Sequence, residues 1–234
     1  MDVNNIASHF KGNFITPWEA IAEKLKSIKA FVFDWDGVFN NGMKDEKGSS
    51  PFSEVDSMGT NLLRFNHYLL NGHNPVFAVI SGEHNKAAAS LAKREHFHAL
   101  YSGIRFKVDA LKHICNAHSL QPSEVAFFFD DVLDLSVAVQ CGLRIMIPRA
   151  CNPLMVEFAV QQNMVDYLTA CEGGNGAVRE AVELLTGLGG RYTDVLTQRM
   201  NFTETYQAYL AERNEIPTGF YTVQQSTITE DQNI

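Results

Sequence analysis

The sequence predicts an α/β protein built on a doubly wound, Rossmann-like parallel sheet. Three observations carry that expectation. Short apolar runs at 30–33, 75–80 and 125–129 suit strands buried on both faces. Segments of helical periodicity lie between them. The runs also end in chemistry: Asp34 and Asp36 after the first, Ser81-Gly82 after the second, Asp130-Asp131 after the third. Right-handed crossovers would bring these ends to one rim of the sheet.

Each element follows from its residues. Residues 1–16 carry no clear pattern. Residues 17–29 read as an amphipathic helix, with Trp18, Ile21, Leu25 and Ile28 at helical spacing, Pro17 in the first turn and Thr16 as N-cap. After Asp34, residues 39–55 hold Gly42, the turn signal Asp45-Glu46-Lys47-Gly48 and Pro51, which read as a β-hairpin insertion. Asp56 or Ser57 can cap a helix to about residue 70. Strand 75–80 is followed by an alanine-rich helix over 85–95, a short strand at 99–101 and a helix over 105–117. Pro122-Ser123-Glu124 marks a turn before strand 125–129. Helix 132–140, strand 143–147, helix 152–162 and a short strand at 165–168 complete the alternation. Gly173-Gly174-Asn175-Gly176 is a loop, and 177–185 a helix stopped by Gly187-Leu188-Gly189-Gly190.

Three regions result. Residues 1–28 form an extension with the amphipathic helix, 29–188 the core domain, and 189–234 a second extension. In the last, 195–210 reads as one helix, and the polar stretch 222–234 reads as disordered.

Composition narrows the function. A net charge of −8 argues against nucleic acid or an anionic membrane as the main partner, but not against a small anion in a cleft where a metal and lysines reverse the local sign. Cys115, Cys141, Cys151 and Cys171 make no Cys-x-x-Cys pair, so free thiols in a reducing cytoplasm are expected. No signal-peptide pattern opens the chain, and no apolar run has the ~18 residues of a membrane span.

Asp34 and Asp36 repel one another unless a cation lies between them or one holds a proton. The pair points to a Mg²⁺ site, to a nucleophile with an acid/base partner, or to both. Lys107 opens a helix after the third strand, and Asp130, Asp131 and Asp134 follow the fourth. Hydroxyl and N–H donors, a cation and metal-binding carboxylates are what a phosphate site needs. His96 and His98 read as surface histidines rather than metal ligands. Phe127, Phe128 and Phe129 read as packing between helix layers.

Asp34-Trp35-Asp36-Gly37-Val38, Ser81-Gly82, Lys107 and Asp130-Asp131-Val132-Leu133-Asp134 resemble the motifs of the haloacid dehalogenase superfamily, in its phosphatase branch. Asp56-Ser57-Met58-Gly59 and Gly173-Gly174-Asn175-Gly176-Ala177-Val178-Arg179-Glu180 narrow the resemblance to tetrameric phosphatases of 3-deoxy-octulosonate 8-phosphate and nonulosonate 9-phosphates, which lack a large cap domain. The likeness spans about residues 28–187. It implies a homotetramer, Mg²⁺ as cofactor and a phosphorylated sugar acid as substrate. It implies Asp34 as nucleophile, Asp36 as general acid and base, and Lys107 as the charge-neutralising cation. Asp34, Asp36 (through its carbonyl) and Asp130 would hold the metal, with Asp131 and Asp134 behind them. Ser81, Gly82, Glu83 and Arg179 would contact substrate, Glu83 steadied by Lys93 or Arg94.

Departures from the pattern are Phe129 where glycine is usual, Phe39-Asn40-Asn41 after the first motif, and Glu83 after Ser81-Gly82. Phe129 is expected to crowd the site floor. Phe129, the Asn40-Asn41 change and the long C-terminal tail motivate a rival, a degenerate member that binds a sugar phosphate or a protein partner without turnover. A receiver-like signalling domain shares the residue types, but it places its acid pair and phospho-acceptor in a different order.

Overall fold

The computed structural model describes residues 3–231. The chain starts with a helical turn, α1 (Val3–Ile6), and a short strand, β1 (Asn13–Phe14). Helix α2 (Trp18–Leu25) follows. Thr16 does not cap it. Its hydroxyl instead donates to buried Asp166 at 2.6 Å, where Lys24 Nζ and Arg144 also converge, so one carboxylate fastens the N-terminal segment to the sheet.

Strand β2 (Ala30–Asp34) leads to α3 (Glu54–Asn71), β3 (Val76–Ile80), α4 (Lys86–Arg94), β4 (Ala99–Tyr101) and α5 (Lys107–Ala117). Then come β5 (Val125–Phe129), a 3-10 turn (Val132–Asp134), α6 (Leu135–Ala138), β6 (Leu143–Met146), α7 (Pro153–Gln161), β7 (Tyr167–Leu168) and α8 (Ala177–Leu188).

With the C-terminal strands β8 (Gly219–Gln224) and β9 (Thr227–Glu230), the strands lie in the order β1-β7-β6-β5-β2-β3-β4-β8-β9. From β7 through β8 every pairing is parallel, and an antiparallel strand closes each edge. The chain first builds outward from β2 on one side (β3, β4), then reverses to the other (β5, β6, β7). The switch therefore falls between β2 and β5, and ligands bind beyond the strand ends at such a point. Phe33 lies opposite Phe128 in that register, so Asp34 and Asp130 leave neighbouring strands side by side.

Side-chain alternation explains the two cores. Phe31, Phe33, Phe77 and Phe128 face α3 and α8, with Phe33 stacked on Phe128 at 4.3 Å. Val32, Ile80, Phe127 and Phe129 face α5 and α6. The phenylalanine triplet thus packs both sides of one strand.

Two expectations about this part of the chain need correction. Residues 39–53 form no strand and no hairpin. Two backbone bonds close the turn, Asp45 N–H to Ser49 C=O and Gly48 N–H to Asp45 C=O. Asp45 Oδ1 takes the Lys47 and Ser49 N–H groups, and an Asx turn of this kind replaces a ladder. Asp56 and Ser57 do not cap α3, which starts earlier. Buried Asp56 instead accepts the Arg179 N–H at the start of α8, where the helix dipole favours an anion.

The C-terminal region is more ordered than its composition suggests. The expected helix over 195–210 is two helices, α9 (Tyr192–Met200) and α10 (Glu204–Asn214), broken where Phe202 adopts φ +48° and Thr203 caps the second. Beyond them β8 (Gly219–Gln224) and β9 (Thr227–Glu230) form a hairpin, where disorder was expected. Strand β8 joins the free edge of β4, and Tyr221 stacks on Tyr101 at 5.0 Å. That added packing outweighs the polar composition. Of the stretch expected to be disordered, 232–234 lie outside the described residues.

Candidate active site

The carboxyl ends of β2, β3 and β5 surround a cleft of about 440 Å³, lined by Asp34, Asp36, Glu83, Lys107, Asp130 and Asp134 among others. Lys107 is its pivot. The residue opens α5, is 3% exposed, and donates to Asp34 Oδ1 and Asp134 Oδ1 at 2.6 Å each. Burial alone would lower its pKa. The two carboxylates outweigh that and hold the ammonium above its usual range.

Carboxylate oxygens of Asp34, Asp130 and Asp134 lie within 4.8 Å of one another. Asp130 and Asp134 are both shifted upward, first by burial and then by the charge of Asp34, with Arg149 opposing at Asp130 and Lys107 at Asp134. These donors fit a divalent cation. Arg149 meets Asp130 Oδ2, but the buried Oδ1 accepts no hydrogen bond and has no cation against it, which is costly for a carboxylate. Hard oxygen donors of this kind suit Mg²⁺. Asp134 is otherwise engaged, by Lys107 and by the Asp131 N–H, so it orients the lysine. The exposed Asp131 carboxylate accepts the Val132 N–H and caps its own turn.

Asp36 lies in the same cleft, outside that cluster. Its Oδ1 accepts from Ser50 Oγ at 2.5 Å, and Lys44 Nζ stands 3.2 Å from Oδ2. The loop after it is held by Asn40. Asn40 Oδ1 accepts the Gly42 N–H at 2.8 Å, and its Nδ2 donates to the Trp35 carbonyl at 3.1 Å. Gly37 has φ +88°, and a Cβ there would overlap Arg149 and Asp130. The glycine-rich loop packs directly behind: a Cβ on Gly173 would strike the Gly37 carbonyl.

Other expected site residues distribute unevenly. Gly82 and Glu83 line the cleft. Ser81 is buried beneath it, with Oγ accepting the Glu83 N–H at 3.3 Å. Arg94 does not steady Glu83, because Glu54, Glu95 and Ser57 occupy it. Arg179 lies outside this cleft with its guanidinium on Glu183, so a single chain does not bring it to the site. Phe129 does not crowd the floor. Its ring stacks on Phe127 at 5.5 Å in the core on the α5 side.

Sequence reasoning missed Arg149, Arg105 and Ser50. Arg149 follows β6 and sets its guanidinium against Asp130 Oδ2. Arg105 lines the cleft ahead of Lys107. A position just beyond the apolar run at β6 was the only available signal for Arg149.

Fold and cleft together are similar to those of phosphatases of the haloacid dehalogenase type, the 3-deoxy-octulosonate 8-phosphate phosphatases among them. No protein-family model matches the chain. Curated relatives do: the 3-deoxy-D-manno-octulosonate 8-phosphate phosphatase of Yersinia pestis is 27% identical over 172 residues, 70% of this chain and 83% of that protein. The crystal structure of the Moraxella catarrhalis phosphatase of that name, in complex with magnesium, phosphate and KDO, aligns with TM-score 0.64 at 26% identity. It covers 97% of that chain but 76% of this one. A probable YrbI-family phosphatase from Pseudomonas syringae aligns with TM-score 0.65 at 26% identity, over 78% of this chain and 98% of that one.

Proposed function

We propose that this chain is a Mg²⁺-dependent phosphomonoesterase for a phosphorylated sugar acid of the 3-deoxy-octulosonate 8-phosphate or nonulosonate 9-phosphate type. The observation that carries the proposal is buried Lys107 bridging Asp34 and Asp134, beside the unsatisfied Oδ1 of Asp130. A buried ammonium held charged among carboxylates is prepared for a doubly negative group.

Asp34 attacks phosphorus and the ester bond breaks, leaving an aspartyl-phosphate. Asp36 protonates the departing alkoxide, then takes a proton from the water that hydrolyses the intermediate. Lys107 neutralises charge on the transferring group, and the Gly82 N–H with Ser81 holds phosphate oxygens. Asp34, Asp130 and the Asp36 carbonyl would hold Mg²⁺, which when bound supplies further charge neutralisation. Glu83 and Arg105 line the cleft wall and would face the sugar.

The non-catalytic reading rests on Phe129, on Asn40-Asn41 and on the long C-terminal tail. Phe129 packs away from the cleft, and Asn40 secures the loop of Asp36, so both departures are compatible with turnover. A homotetramer belongs to the proposal. Met43, Phe106 and Leu133 are each more than half exposed beside the cleft, a rim that a neighbouring subunit would cover. Arg179 would serve a neighbour's site. Four free cysteines agree with a reducing cytoplasm.

The test is phosphate release from a panel of sugar phosphates, weighted to eight- and nine-carbon keto acids, with and without Mg²⁺. Release is expected from a keto-acid phosphate only with the metal, and Asp34→Asn should abolish it. No release from any substrate by the folded protein would instead favour the binding module.

A further inference from the structure

We propose that Ser50 is the positioning residue that aims the acid/base carboxylate Asp36. The inference rests on the phosphatase reading of the cleft and deepens it. Ser50 is fully buried although it sits in the irregular loop after Asp36. Its Oγ accepts Trp35 Nε1–H at 3.2 Å and Asn85 Nδ2–H at 2.7 Å. A serine hydroxyl has two acceptor sites and one proton. Both acceptor sites are filled, so the proton has one destination, Asp36 Oδ1 at 2.5 Å. A free hydroxyl rotates to suit its surroundings; this one cannot.

The two donors are fixed in turn. Asn85 Oδ1 accepts the Ala87 and Ala88 N–H groups as N-cap of α4, so the amide cannot flip and its Nδ2 must point at Ser50. Trp35 is buried between the two motif aspartates and stacks on Phe39 at 5.1 Å. Asp36 is therefore tied through one hydroxyl to its own strand end and to the helix that follows Ser81-Gly82.

A bond of this kind to an ionised carboxylate is short and strong. It engages Oδ1 and leaves Oδ2, on the Lys44 side, to carry the transferable proton. In the first half-reaction the Oδ2–H bond breaks as the ester P–O bond breaks. The P–O electron pair stays on the leaving oxygen, which takes the proton, and Asp36 becomes a carboxylate. In the second half-reaction the water oxygen bonds phosphorus as the P–O bond to Asp34 breaks, Oδ2 takes the water's proton, and the Asp34 carboxylate and inorganic phosphate are released.

The experiment compares leaving groups. Ser50→Ala and Ser50→Cys are assayed on an alkyl sugar phosphate, whose leaving alkoxide needs a proton, and on p-nitrophenyl phosphate, whose leaving group does not. General acid catalysis contributes ~10²–10⁴-fold, so mispositioning should cut kcat on the alkyl ester by roughly 10- to 100-fold. On p-nitrophenyl phosphate the fall should stay within about 3-fold, and Ser50→Thr, which keeps the hydroxyl, should restore part of the alkyl-ester rate. Equal losses on both esters, or no loss on either, would overturn the role of Ser50. Asp34→Asn on p-nitrophenyl phosphate tests the underlying reading separately: retained turnover there defeats the phosphatase assignment whatever Ser50 does.

Discussion

Arg149 and Asp130 meet at the ends of adjacent strands, the guanidinium set against a carboxylate that is 1% exposed. Arginine here is the counter-ion of the residue best placed to bind a divalent cation. The two cations compete for one oxygen. Arg149→Met should therefore tighten Mg²⁺ binding by roughly one order of magnitude, equivalent to about 1.4 kcal/mol. The same change should destabilise the metal-free protein, because Asp130 loses its partner. Titration calorimetry and thermal melts with and without Mg²⁺ measure both. An unchanged Mg²⁺ affinity would show that Arg149 and the metal do not compete.

Gly37 makes that meeting possible. Its φ of +88° disfavours any side chain, and a Cβ would occupy the space of Arg149 Nη2 and Asp130 Oδ2. Gly37→Ala should cost about 1–3 kcal/mol of stability and displace Asp130. Metal affinity should fall with it. A variant with native melting temperature and native Mg²⁺ affinity would contradict the crowding inferred here.

Much of this site was legible because strand ends can be read from apolar runs. Asp34, Lys107 and Asp130 converge as the spacing of 30–33, 99–101 and 125–129 implies. Arg149 was not legible, since nothing local distinguishes an arginine after a strand from a solvated one. Ser50 was hidden for a different reason: its partners lie at 35, 36 and 85, and only the folded loop brings them together. The same holds for the C-terminal hairpin. Its turn residues Gln225 and Ser226 both have positive φ, where asparagine and glycine are the usual signals, so no turn signature marked it. His98 reads from the sequence as a surface residue. In the fold its Nδ1 lies 3.1 Å from the Phe77 N–H, which it accepts as a neutral ring.

That neutrality has a consequence for acid stability. Burial lowers the pKa of His67 to about 4 and, with smaller contributions from Arg64 and His118, that of His98 to about 3, from an ordinary 6.5. Both are depressed in the folded state, so the unfolded chain binds more protons below pH 6.5. Their contribution is complete above that value and is lost as pH falls towards 4 and then 3. By pH 5 the loss is at most about 2 kcal/mol per histidine. His98→Asn keeps an acceptor for the Phe77 N–H and cannot take up a proton there. Its urea-unfolding stability should change less between pH 7.5 and 5 than that of the parent. An identical pH slope would remove His98 from the account.

The hairpin β8–β9 covers what would otherwise be the open edge of the sheet. Strand β4 offers three residues to β8, with Ser102 N–H donating to the Tyr221 carbonyl at 2.9 Å. An unpaired apolar edge is a template for other chains. Truncation after residue 217 removes that cover and the Tyr101–Tyr221 stack, which contributes about 0.5–1.5 kcal/mol beyond its buried area. The truncated protein should melt several degrees lower and form larger species in light scattering at micromolar concentration. Asp34, Lys107 and Asp130 belong to the interior of the sheet and its helices, so phosphatase activity per folded molecule should persist. Tyr221→Ala, which leaves the backbone ladder intact, should lower the melting temperature less and leave the protein free of large aggregates. If the two variants aggregate equally, the stacked rings rather than the strand pairing protect the edge.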